Sequence, residues 1–157
     1  MPETPRRPVD NALLNGGSWA ELKNFKIKLP KGWERKQDLL VALHALPSEA
    51  KLYPNLKVAI VNLPKQATMM DSVTQSKMTY AKYWTIEEER AVNVNGASAY
   101  RMVLVQDIGL TKSKQAKYFI AAGEKVLIVT GQSEPEEFDR HLPVFEAMVQ
   151  SMEILTP

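Results

Sequence analysis

Apolar and polar residues alternate clearly at several places along this chain. From Ser18 to Leu29, the apolar residues Trp19, Phe25, Ile27 and Leu29 are interleaved with Lys26 and Lys28. A period of two predicts a half-buried strand with its lysines on the wet face. Pro30-Lys31-Gly32 then turns the chain, and Trp33 is expected to pack back as an anchor. Leu39 to Leu46 is a short apolar run closed by Pro47-Ser48; its length predicts a buried strand, although its Leu and Ala content also suits a helix. Leu56 to Leu63, bounded by Pro54-Asn55 and Pro64, predicts a further strand carrying Val58, Ile60 and Leu63.

The period then changes. Met70, Val73, Lys77, Tyr80, Ala81 and Trp84 recur at helical spacing, with Thr68 or Asp71 as the cap and Lys77 laying its methylenes along the core edge. Thr85 to Val94 and Ala97 to Gln106 flank Asn95-Gly96, two residues that tolerate positive φ and so predict a tight hairpin. A second hairpin is expected to join Lys117–Ala121 to Lys125–Thr130 across Ala122-Gly123-Glu124. The last segment predicts a helix. Ser133 and Glu136 fit a capping box, Pro135 suits the first turn, and Phe138, Leu142, Phe145, Val149 and Met152 form its apolar stripe. Pro143 should kink that helix or break it in two. Helices added to an antiparallel meander give an α+β layer fold of about six to seven strands.

Composition narrows the functional classes. The 157 residues are 45% apolar and 24% charged, which fits one globular domain. A net charge of +2 makes no broad electrostatic footprint and argues against nucleic acid as a partner. There is no cysteine, which excludes disulfides, thiolate metal sites and cysteine nucleophiles. Residues 1–17 carry Pro2, Pro5, Pro8, Arg6-Arg7 and Gly16-Gly17 and read as a flexible linker; residues 18–157 form the domain. Such a segment suits a spacer behind an envelope anchor or, equally, a frayed cytosolic terminus.

Four phrases carry a family resemblance: F-x-I-x-L-P-x-G-W at Phe25–Trp33, Y-P-N-L-x-V at Tyr53–Val58, V-N-x-N-G-x-x-A-Y at Val92–Tyr100, and K-Y-F-I-A-A-G-E-K-V-L-I-V-T at Lys117–Thr130. With the helix end P-V-F-E-A-M-V-Q-S-M at Pro143–Met152, they resemble the PsbP-like superfamily over about Ser18 to Leu155. That group takes in PsbP, DcrB, LpqN-type lipoproteins and Mog-type factors. The resemblance implies an α/β/α sandwich and a non-enzymatic accessory or binding protein, with a protein partner and a place in the bacterial cell envelope. It also allows a cytosolic adaptor or chaperone that shields a hydrophobic segment of a secreted effector. The matched phrases are strand ends, a turn and a core helix, so no functional residue transfers with them. The lipobox cysteine of the lipoprotein members has no counterpart here, so any membrane tether would use a segment absent from this sequence.

No catalytic, cofactor-binding or metal-ligating set stands out. His44 and His141 have no ligand-spaced partner; His44 falls in an apolar run, and His141 is expected on the wet side of Phe138 and Leu142. Glu87-Glu88-Glu89 and the acidic stretch Glu134–Glu137 read as solvated faces, the second complementing a helix dipole. The basic cluster is Lys112, Lys114 and Lys117 with Arg101 nearby, around Gly109-Leu110-Thr111. It is the candidate contact for an anionic partner, against a plain solubility role on an edge strand. The tryptophans and tyrosines are expected mostly in the core. Met69, Met70, Met78 and Met102 are candidates to line an adaptable groove.

Overall fold

A computed structural model describes residues 11–22, 25–36, 39–41, 54–108 and 111–154. His44, Tyr53, Pro47-Ser48, Gly109-Leu110 and most of the Leu39–Leu46 run lie outside these residues. The main sheet is antiparallel and seven-stranded, in the order β3-β4-β5-β9-β8-β7-β6. Its long strands are β5 (Asn55–Asn62), β6 (Thr85–Val94), β7 (Ala97–Ile108), β8 (Thr111–Ala122) and β9 (Lys125–Ser133). The short hairpin β3 (Glu34–Lys36) and β4 (Leu39–Val41) extends it beyond β5. A second sheet joins β1 (Ser18–Glu21), β2 (Phe25–Leu29) and β10 (Glu153–Ile154). Helix α2 (Met69–Tyr80) packs on one face of the main sheet and α3 (Pro135–Gln150) on the other. The fold is α+β, as expected.

The two faces carry unequal cores. Along β8, Ala116, Tyr118 and Ile120 point to α3, where they join Leu56, Val58, Val103, Leu127, Phe138, Phe145 and Met148. Phe119 points the other way and meets Met102, Leu104, Val126 and Val73 beneath α2. This is the period-two alternation of a strand buried on both sides. Gly131 of β9 lets α3 come close: a methyl group there would lie 2.6 Å from Cγ of Phe145.

Several expectations are corrected in detail. The Ser18–Leu29 segment is a hairpin, not one strand, and its register pairs Trp19 with Lys28 and Ala20 with Ile27. Antiparallel pairing thus puts Trp19 on the lysine face, where it is 49% exposed and the Lys26 and Lys28 ammonium groups sit 5.0 and 6.0 Å from its ring. Tyr83 is exposed as well. Ahead of Ser18, α1 (Asn11–Leu14) buries Leu14 in the core beside α3, so that this part of the expected linker packs against the domain.

Helix α2 is capped as foreseen. The Asp71 carboxylate accepts hydrogen bonds from the Thr68 N–H at 2.6 Å and the Thr68 hydroxyl at 3.2 Å. Its buried stripe runs through Met69, Val73 and Tyr80; Met70 and Met78 face solvent, and Met102 lies under the helix, so the methionines do not share a groove. Helix α3 is one uninterrupted helix despite Pro143, which sits on its exposed side. Its N-cap is Glu134 rather than Ser133, because Ser133 is buried at the end of β9 and its hydroxyl donates to the Glu134 carbonyl at 3.1 Å. Its buried face is rotated toward His141 and Met148, leaving Leu142 half-buried. Trp33 does anchor the chain, edge-on to Phe145 at 6.2 Å.

Candidate ligand-binding groove

The four candidate cations do not form one patch. Adjacent strand positions point to opposite faces, so Arg101, Lys112 and Lys114 lie on the α3 side of the sheet and Lys117 on the α2 side. Arg101 and Lys117 are only 4% and 5% exposed and present no charge to a partner surface. Lys114 is half-buried over the Phe138 ring and paired with Glu87 at 2.9 Å. Lys112 is exposed near the β7–β8 turn.

The glutamate run explains much of this. A bulge between Ile86 and Glu88 inserts Glu87 into β6. Glu87 and Glu88 therefore both reach cations on the α3 face, while Glu89 reaches the α2 face. Glu88 accepts a 2.6 Å hydrogen bond from Arg101, and Glu146 of α3 lies 3.3 Å from the same guanidinium. Glu89 accepts from Lys77 and from the Tyr100 hydroxyl, both at 2.8 Å. These hydrogen bonds hold the Glu88 and Glu89 carboxyls below the usual carboxylate range. The run is a set of ties between β6, α2 and the central strands rather than a merely solvated face.

Arg101 also borders a cleft of about 310 Å³ with Arg90, Tyr118, Glu146 and Gln150. Burial, reinforced by the Glu146 charge, pushes the Tyr118 phenol up to about 12. The cleft's charges are balanced within the protein: Glu88 and Glu146 already neutralise Arg101.

The α2 face is built differently. Among the described residues, helix α2 covers Phe119, Met102 and Val126 and borders a groove of about 530 Å³ that runs over Lys57, Gln115 and Lys117. Its floor is made of two cross-strand pairs fixed by the β8–β9 register, Gln115 with Gln132 and Lys117 with Thr130. Gln115 Nε2 donates to Gln132 Oε1 at 2.6 Å, and Lys117 Nζ donates to Thr130 Oγ1 at 2.8 Å. The Lys117 ammonium also sits 4.9 Å from the centre of the Tyr80 ring. A smaller hollow of about 260 Å³ adjoins at Tyr80 and Ile128, walled by Ser72, Gln75, Ser76 and Thr79. Among the described residues, no aspartate or glutamate lines either space. The inward-facing amides of this groove were not singled out from sequence; polar residues at alternate positions of β8 and β9 were the available signal.

His141 is buried rather than wet. Burial and the neighbouring Arg140 hold its imidazole below the ordinary value near 6.5, against Glu137. Its Nε2 has no hydrogen-bond partner and lies 3.9 Å from the Glu137 carboxylate. Among the described residues, no three His, Asp or Glu side chains group as metal ligands, and no helix is long and apolar enough to cross a membrane. The exposed large apolar residues are spread over α1, β1, β5, α2 and the turn after α2.

These elements, order and packing define a PsbP-like α+β fold. LpqN of Mycobacterium tuberculosis, described as involved in cell envelope biogenesis, superposes with a TM-score of 0.69 at 12% identity, covering 91% of this chain and 87% of that one. PA94 of Pseudomonas aeruginosa, a protein of unknown function described as a putative regulator, gives 0.64 at 16% identity over 90% and 98%. Cyanobacterial PsbP (CyanoP) of Synechocystis sp. PCC 6803 gives 0.57 at 14% identity over 83% and 86%. No family model and no curated protein matches the sequence.

Proposed function

We propose that this protein is a non-enzymatic accessory or binding protein of the bacterial cell envelope. The observation that carries the reading is the fold shared with LpqN along nearly the whole chain, since that protein is described as involved in envelope biogenesis. An open polar groove beside α2 gives such a protein a place to bind. Exposed Lys112, with Lys114 behind it near the β7–β8 turn, is the contact offered to an acidic protein partner; a membrane tether would come from a segment outside this sequence.

Cross-linking the tagged native gene product in separated membrane and soluble fractions tests this reading. Recovery in the membrane or periplasmic fraction with a defined envelope complex is the expected result. Recovery only in the cytosol, bound to a protein with hydrophobic helices, would overturn it in favour of a chaperone.

A further inference from the structure

We propose that the groove beside α2 is a binding site for a small hydroxylated organic anion, such as a sugar phosphate or sugar acid, with Lys117 as its charge-bearing contact. Three observations carry this. First, Lys117 is a buried cation with no carboxylate beside it among the described residues: its ammonium has one hydroxyl, from Thr130, and the face of Tyr80. Desolvating an ammonium costs several kcal/mol, and folded proteins usually offset that with an opposite charge. Arg101 and Lys114, the cations drawn into the opposite face of this sheet, each have one.

Second, Gln115 is over nine-tenths buried in the groove floor, and its Oε1 accepts no hydrogen bond. An unfilled carbonyl beside an unneutralised ammonium asks for a ligand with both a hydroxyl donor and a negative charge. Third, among the described residues the surrounding walls carry hydroxyls and amides but no acid, and Lys57 adds a second positive charge. Such walls suit a polar body and would not repel its anion. A volume of about 530 Å³ matches a ligand of this size.

The proposal rests on the binding-protein reading, but its test uses purified protein, so its failure would leave fractionation and partner capture unaffected. Titration calorimetry and amide chemical-shift mapping would be run with glucose 6-phosphate, glucuronate and uncharged glucose. The two anions distinguish a phosphate-bearing from a carboxylate-bearing ligand, and shifts should centre on Gln115, Lys117 and Thr130. Lys117→Met should weaken the preferred anion by about tenfold or more while leaving the melting temperature unchanged or raised. Lys125→Met, on the opposite face, should leave binding intact. Absence of binding by both anions, binding no tighter than glucose, equal binding to Lys117→Met, or shifts centred on the Arg101 cleft would each overturn the proposal.

Discussion

Replacing Gly131 with alanine should lift α3 off the sheet, and the size of the effect can be worked from contacts. The new methyl carbon would lie 2.6, 2.8 and 3.1 Å from Cγ, Cδ2 and Cβ of Phe145. Carbon atoms pack at roughly 3.5 to 4.0 Å, so about 1 Å of movement is required. Phe145 has nowhere to go: it is fully buried, with Trp33, Phe138 and His141 at ring distances of 6.2, 6.3 and 6.4 Å. Overpacking of this kind costs about 1 to 3 kcal/mol. Gly131 has no positive φ, so alanine is otherwise compatible with its backbone and would stabilise by about 0.4 to 1 kcal/mol through the unfolded chain. The sign of Gly131→Ala should therefore reverse in a Phe145→Ala background, giving a coupling of about 1 to 3 kcal/mol, since the unfolded-chain gain is common to both backgrounds and cancels. Urea unfolding of the four proteins, followed by far-UV circular dichroism at low temperature, measures it. A neutral Gly131→Ala in the native background, or equal destabilisation in both backgrounds, would refute the packing argument.

Other consequences follow from buried polar groups and the Asn95-Gly96 turn. Arg101→Ala should destabilise by about 1 to 3 kcal/mol in urea unfolding, through loss of its buried stem and of its hydrogen bond to Glu88, while Arg101→Met, which keeps the buried aliphatic volume, should cost clearly less; Glu88 and Glu146 are left half-exposed and stay hydrated in both. His141 has a folded-state pKa below its unfolded value, so the unfolded chain binds the proton first as pH falls. Its contribution is complete above about pH 6.5, is lost as pH drops through the lower folded value, and should vanish from the melting-temperature profile in His141→Leu. Tyr118 should be the last tyrosine to ionise, near 12, in an ultraviolet titration, with that step absent in Tyr118→Phe. Asn95 and Gly96 both have positive φ, at 52° and 95°, so Gly96→Ala should cost about 1 to 2 kcal/mol by urea unfolding.

Alternation, capping and turn chemistry made most elements legible in the chain itself. Asn95-Gly96 could only be a tight hairpin because both positions need positive φ. Thr68 and Asp71 marked the start of α2, and Pro135 the start of α3, because those residues satisfy or omit the free N–H groups of a first turn. Register was the weak point. Placing the β8–β9 turn over three residues instead of the two, Gly123-Glu124, shifts every cross-strand partner by one position, and the Lys117–Thr130 and Gln115–Gln132 pairs disappear from view. The Trp19 error has the same root, because reversing the strand moved Trp19 to the lysine face.

Local sequence settles which backbone conformations are available, since caps, glycines and prolines act within one turn of chain. It does not settle which faces meet. Arg101 and Lys117 lie on neighbouring strands but point to opposite faces, separated by the thickness of the sheet. The glutamates that bind their neighbours were aimed by a single-residue bulge. Among the described residues, the groove lies where α2, only 12 residues long, ends before it covers the polar half of its sheet face. Burial, pairing and the cost of an unneutralised ammonium arise from residues far apart in the chain, so they were decided only when the layers packed.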